Sequence, residues 1–272
     1  MTRLAITSLH NQRIKDAIKL RDHRQRTKQR RFFIDGVREL RRALDGRVPL
    51  VEVFVCAELC RSEESRQLVE HLRGLPGEIW DATPEVFEKL AYGQRLEGVL
   101  AIAETPARTL ADLHVPPQSL IAVLEGVEKP GNVGAVLRSA DGAGVAAVVA
   151  ADPGTDLYNP NCVRASLGTI FTQQVCQATS HETLAWLRAR GSRIFVARLD
   201  ATVPYTEVDL RGEVAVVLGS EARGLGPAWQ AANVTPIKLP MRGTADSLNV
   251  SATAAVLFYE AQRQRDASPG GV

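Results

Sequence analysis

Cysteine is scarce in this chain of 272 residues: there are four, Cys56, Cys60, Cys162 and Cys176, and only the first two lie close together, in "CAELC". With no second pair and no histidines at ligand spacing, they read as buried free thiols, and no metal is expected. The histidines, His10, His23, His71, His114 and His181, are equally scattered. HExxH, CxxC and GxSxG strings are all missing, which removes the usual signatures of zinc hydrolysis, thiol redox chemistry and the α/β-hydrolase nucleophile. No apolar run approaches the ~18 residues of a membrane span. The opening "MTRLAITSLHNQRIK" lacks the apolar block of a secretory signal, so a cytoplasmic protein with no membrane partner is expected. Internal repeats are absent too.

What is there is an ordinary globular composition, 45% hydrophobic and 24% charged, enough for one large domain or two modest ones. The net charge of +2 hides an asymmetry: residues 1–48 hold 14 Lys and Arg against 5 Asp and Glu, a balance of +9, and the remainder carries −7. The basic end peaks in "KLRDHRQRTKQRR", Lys19 to Arg31. Clustered cations release counterions when they meet phosphates, so Arg24, Arg26, Lys28, Arg30 and Arg31 are candidate nucleic-acid contacts. The alternative is a solvated helix face.

Apolar spacing predicts two helices around the short strand of "FFIDG", then strands at "LVEVFVC" and "GEIWDAT". Ser62 opens a helix, Thr83-Pro84 opens another, and "EGVLAIAET" closes this half as a strand. Three prolines and little periodicity mark "TPARTLADLHVPPQS" as a linker. Beyond it, short apolar runs ("LIAVLEGV", "AAVVAAD", "SRIFVARLD", "EVAVVLGS") alternate with helical stretches, the pattern of a largely parallel α/β sheet. The expected domains are 1–106, a linker at 107–118, a second domain at 119–266 and a tail at 267–272.

Three clusters in the second half carry the candidate chemistry: "EKPGNVGAVLRSADGAGV", "VVLGSEARGLG" and "IKLPMRGTADSLNVSATAAVLFYEA". Singly each is weak. Glycines after a strand permit tight turns and close backbone approach, in plain loops as well as in sites. Ser247, Asn249 and Ser251 precede an apolar helix and double as caps. The first cluster lacks the G-x-G-x-x-G register of a dinucleotide site, which argues against a Rossmann oxidoreductase.

In this order, the three clusters resemble the three motifs of the SpoU (TrmH-type) ribose methyltransferases of the SPOUT superfamily. "YNPNCVRASLGTIF" is similar to the segment between the first two motifs. "FFIDGVRELRRAL" with "VEVFVC" is similar to the family's RNA-binding N-terminal domain of ribosomal-protein-like α/β fold. The resemblance implies a C-terminal trefoil-knotted domain, S-adenosylmethionine as cofactor and a homodimer. It places Leu218, Gly219, Ser220, Ile237, Leu239, Met241, Ser247 and Leu248 at the cofactor. Asn132, Arg138, Glu221, Ser247 and Asn249 take catalytic or site-shaping roles, and Arg164 joins the RNA contacts. Ala222 departs from the glycine usual after the Glu.

The family proposal makes Arg138 the base, yet guanidinium groups stay protonated in proteins, so a clamp on the phosphate beside the target ribose is the easier chemistry. The expected activity is 2′-O-methylation of RNA. Ribosomal RNA is favoured, because the full N-terminal domain is closer to the ribosomal RNA and thiostrepton-resistance group than to the transfer RNA group. A transfer RNA enzyme and a non-enzymatic RNA-binding paralogue are the alternatives.

Overall fold

The structure, a computed structural model, describes residues 5–231 and 233–267. Of the tail expected at 267–272, Ala267 is the C-cap of the last helix and the rest lies outside the described residues. Chain contacts divide the molecule into two units. The first is everything up to Pro106 together with Tyr158–Thr172, and the second is Ala107–Leu157 with Gln173 onward.

In the first unit the elements run β1 (Ala5–Ile6), α1 (Gln12–Lys19), α2 (His23–Gln29), β2 (Arg31–Asp35), α3 (Val37–Asp45), β3 (Leu50–Val55), α4 (Glu63–Arg73), β4 (Glu78–Ala82), α5 (Pro84–Leu90) and β5 (Val99–Glu104). The sheet order is β1-β4-β3-β5-β2, with β5 antiparallel to both neighbours and the other pairs parallel. Ser62 caps α4 by accepting from the Ser65 N–H, and Pro84 stands in the first turn of α5. The Thr83 side chain makes no cap bond, so the proline and not the threonine fixes that start.

Successive strand residues face opposite sides of a sheet, and β2 uses both. Phe33 enters a core with Ile14, Phe54, Phe87 and Leu100. Phe32, fully buried on the other face, packs against Tyr158 at 4.8 Å and Phe171 at 5.8 Å between ring centroids. This aromatic cluster explains why the short helices α7 (Pro160–Ala165) and α8 (Thr169–Thr172) belong to the first unit, although 119–266 was expected to be one domain.

The basic segment holds a correction. Instead of one helix before β2 there are two, because Asp22 caps α2 by accepting from the Gln25 N–H and interrupts α1. Arg26 is buried, 3% exposed, and donates to the Leu20 and Arg21 carbonyls at 2.8 Å each. It satisfies backbone acceptors at the α1–α2 turn and is not available to RNA. Arg24, Lys28 and Arg30 are exposed, and Arg31 is half-buried at the start of β2.

The second unit contains β6 (Leu120–Glu125), α6 (Pro130–Gly142), β7 (Ala147–Ala151), β8 (Val175–Ala178), α9 (Ser180–Ala189), β9 (Arg193–Ala197), β10 (Val203–Pro204), β11 (Val214–Leu218), β12 (Val234–Lys238) and α10 (Val250–Asp266). Its seven strands are all parallel, in the order β10-β12-β9-β11-β6-β7-β8. The central strands β6 and β11 are buried along their whole length, as continuous apolar runs covered on both faces should be. The stretch expected to be a free linker is anchored to this unit. Leu113 enters its core, a Thr109–Asp112 capping box fixes a helical turn, and Arg108 donates to the Gln173 carbonyl. All four cysteines are buried, and none forms a disulfide among the described residues.

Burial pushes the Asp35 carboxyl up to about 6, against a hydrogen bond from the Tyr92 N–H and the nearby Arg164 charge, with Glu97 and Glu39 adding to the rise. The folded state therefore holds a proton that the unfolded chain releases near pH 4, and stability is lost as pH rises from there through about 6. Asp35→Asn, which keeps an acceptor for Tyr92, should raise the unfolding free energy at pH 8 by about 2 to 3 kcal/mol and leave it unchanged at pH 3.5. Denaturant melts at the two pH values check this.

Candidate active site

In a parallel sheet the loops that follow the strands collect at one edge, and ligands bind there. The order β12-β9-β11 puts the loop after β9 between those that follow β11 and β12. All three line a cleft of about 950 Å³. From β11 come Leu218, Gly219, Ser220 and Glu221; from β12 come Ile237, Leu239, Met241, Ser247, Leu248 and Asn249. Every cofactor residue expected from the sequence lies on this wall. The end of β9 at Ala197 and the loop after it, Arg198 to Asp200, were missed. The strand itself was legible in "SRIFVARLD", but its neighbours in the sheet were not. Arg198 forks onto Asp200 with bonds of 2.9 and 2.6 Å, so a carboxylate held by a guanidinium borders the cleft.

The loop after β11 folds back on itself. Ser220 and Gly224 exchange backbone hydrogen bonds of 3.1 and 3.0 Å, and the Ser220 hydroxyl accepts from the Arg223 N–H at 3.0 Å. A Cβ on Gly219 would stand 2.5 Å from the Gly224 carbonyl group, so this residue must be bare for the loop to close, whether or not a ligand also approaches it. Gly224, at φ +65, supplies the left-handed turn. Ala222 is exposed and outside the left-handed region, which is why a methyl is tolerated where the family usually has glycine.

At the edge of the cleft the three sequence clusters meet in one hydrogen-bonded chain. The Asn249 amide donates to the Asn132 carbonyl oxygen at 3.3 Å, and the Asn132 amide donates to the Glu221 carboxylate. Asn249 also caps α10, its side-chain oxygen accepting from the Ser251 N–H at 2.9 Å and the Ser251 hydroxyl at 2.7 Å. Capping, the bland reading of this residue, and site-building are thus the two ends of one amide. Among the described residues the Ser247 hydroxyl donates to the neighbouring Asp246 alone, at 3.3 Å, and it is outside the chain.

Arg138 is also outside it. Six residues beyond Asn132 on α6, it stands about 9 Å along the axis and roughly a third of a turn round. It is exposed, with no hydrogen bond or ion pair among the described residues. Arg164, in the first unit, is half-buried and donates to the Tyr92 carbonyl at 2.6 Å, so its guanidinium already has a structural task.

An all-parallel α/β sheet whose strand-end loops enclose a cleft bordered by Asn, Glu and Asn defines a ligand-binding enzyme domain. Residues 119–259 match the SpoU rRNA methylase family, and the chain belongs to it. Residues 11–101 match the MRM3-like substrate binding domain. Among curated relatives, the 23S rRNA (guanosine(2553)-2′-O)-methyltransferase RlmP of Bacillus subtilis is 28% identical, over 93% of this chain and 97% of its own. A crystal structure of an RNA 2′-O ribose methyltransferase is 40% identical with a TM-score of 0.83, covering 96% of this chain and 99% of that one. The SpoU methyltransferase AviRb of Streptomyces viridochromogenes, solved with the cofactor AdoMet, is 26% identical with a TM-score of 0.86, covering 96% and 100%.

The double role of Asn249 can be divided. Serine caps a helix as well as asparagine but cannot reach Asn132, so Asn249→Ser should unfold within about 0.5 kcal/mol of wild type, while Asn249→Ala should lose about 1 kcal/mol. Chemical denaturation of both variants checks the cap separately from the site.

Proposed function

We propose that this protein transfers a methyl group from S-adenosylmethionine to the 2′-oxygen of one ribose in 23S ribosomal RNA. The observation that carries this is the convergence of Asn132, Glu221 and Asn249 beside the cleft, from three segments far apart in sequence. The activities named for RlmP and for the 40% identical structure support it.

The residues present fit the cofactor. Leu239 and Leu248 offer apolar surface for an adenine, backed by the buried side chains of Leu218 and Ile237, and the folded Gly219–Gly224 turn presents backbone polar groups at the wall. Ser220, Met241 and Ser247 complete the set that would hold it. When bound, S-adenosylmethionine supplies a sulfonium methyl that an oxygen nucleophile can take.

The chain's own residues then have to place a ribose and manage its proton. Asn132, fixed from both sides by Glu221 and Asn249, is a preorganised polar group at the cleft edge. Glu221 carries the negative charge of the chain and can orient a ribose hydroxyl. Arg138, without a hydrogen bond or ion pair among the described residues, is suited to a two-pronged grip on the adjoining phosphate. The exposed cations Arg24, Lys28 and Arg30 of the first unit extend the grip to more distant phosphates.

A homodimer belongs to the same reading. Arg138 is set apart from Asn132 on its own helix, and the neighbouring α10 leaves Tyr259 51% exposed and Ala255 and Val256 half-buried, a face a second copy would cover. Arg138 of that second copy would then complete the site.

The methylated product should resist alkaline cleavage at one linkage of 23S ribosomal RNA. A methyl label recovered on a base would refute the assignment. Arg138→Lys should keep part of the rate and the wild-type pH profile, whereas Arg138→Ala should lose about a hundredfold. Calorimetry should show unchanged cofactor affinity in both. Light scattering should give the mass of two chains, and mixing Arg138→Ala with Glu221→Ala protein should restore activity that neither has alone. A monomer, or no restoration, would remove the shared site.

A further inference from the structure

We propose that Glu125 is the positioning residue that holds the cofactor-side loop, Gly219 to Gly226, in its working shape. The inference rests on the S-adenosylmethionine reading of the cleft. Glu125 is the last residue of β6 and is 8% exposed. One carboxylate oxygen accepts from the Gly226 N–H at 2.7 Å, the other from the Ser180 hydroxyl at 2.8 Å. Both partners donate, and a carboxyl group with two acceptor oxygens can satisfy two donors at once. Ser180 is the first residue of α9, 2% exposed, and its N–H donates to Asp152 at the end of β7. The far end of the loop is therefore tied through one buried carboxylate to a helix start and a neighbouring strand end.

Leu225 and the buried Trp229 pack that end of the loop on the core, and the Gly226 carbonyl accepts from the Trp229 N–H at 3.2 Å, but the bond that fixes the Gly226 N–H comes from Glu125. Its near end continues from β11, and its middle is closed by the Ser220–Gly224 pair. The return leg reaches Gly226 with Glu125 as its side-chain anchor. The fit is close: a Cβ on Gly226 would stand 2.9 Å from the carboxylate. Gly219 to Leu225 line the cleft, whereas Glu125 and Gly226 do not. Glu125 thus acts on a ligand only through the loop, by fixing where the backbone of the cleft wall stands before the ligand arrives. Hydrogen bonds made away from water suit this, because leaving a buried N–H unpaired is costly.

The experiment uses the full-length protein and three substitutions. Glu125→Leu keeps the volume but removes both bonds. Glu125→Gln can keep both, its carbonyl taking the Gly226 N–H and its amide donating to the Ser180 oxygen. Ser180→Ala removes one bond and leaves the other. Titration with S-adenosylmethionine by calorimetry should give a Kd raised about 10- to 100-fold for the Leu variant. The Gln variant should stay within about threefold of wild type, and Ser180→Ala should fall between them. Hydrogen exchange at the Gly226 amide should accelerate in the Leu variant and not in the Gln variant. A folded Leu variant that binds as wild type does would overturn the proposal, as would a Gln variant as impaired as Leu. If the Leu variant does not fold, Ser180→Ala decides, and wild-type affinity there overturns it. Should wild-type protein not bind S-adenosylmethionine, the cofactor reading falls on its own. Amide exchange at Gly226 then still tests the hold of Glu125 on the loop.

Discussion

Parallel strands cannot be joined by tight turns, so each must be followed by a crossover before the next begins. With all seven strands of the second sheet parallel, every loop that leaves a strand does so at the same edge. Residues that are strangers in sequence become neighbours there, and the rest of the site follows from that one constraint. Asn132 arrives from the helix after β6, Glu221 from the loop after β11, and Asn249 from the start of the helix after β12. Their hydrogen bonds then convert proximity into a fixed geometry. A mixed sheet would send some of these loops to the opposite edge.

The polar groups at this edge do two things at once more often than a reading of single residues suggests. Asn249 begins a helix and orients Asn132. Ser220 closes the turn with its backbone and steadies Arg223 with its hydroxyl. Gly219 is bare because the chain returns against it, which leaves backbone at the cleft wall as a consequence of the turn's own packing. Sites of this kind are compact in sequence: a handful of side chains serve fold and ligand together.

Much of this was legible beforehand, for physical reasons that differ from residue to residue. The helix starts at Ser62 and Pro84 were readable because capping is local chemistry. The three clusters were readable because their order and composition match a family. The loop after β9 was not, since strand order depends on crossovers that periodicity does not encode. Arg26 misled because charge in sequence says nothing of burial, and its carbonyl partners appear only once the α1–α2 turn has formed. The proline-rich stretch near residue 107 looked unstructured, yet prolines equally suit an arm laid along a core, as Leu113 shows.

The side-by-side phenylalanines of β2 carry a consequence for biosynthesis. Phe33 meets its partners among residues synthesised before Pro106, but Phe32 waits for Tyr158 and Phe171. Between these two events the ribosome must make Ala107 to Leu157, which belong to the other unit. The N-terminal sheet therefore cannot finish as an independent module on the nascent chain: one face matures early, and on the other α3 packs early but Phe32 lacks its aromatic partners until Thr172 has left the exit tunnel. Vectorial synthesis interleaves the two folding events, so a stall or truncation before that point leaves an aromatic surface open to chaperones, and the upstream unit inherits the fate of residues encoded far downstream.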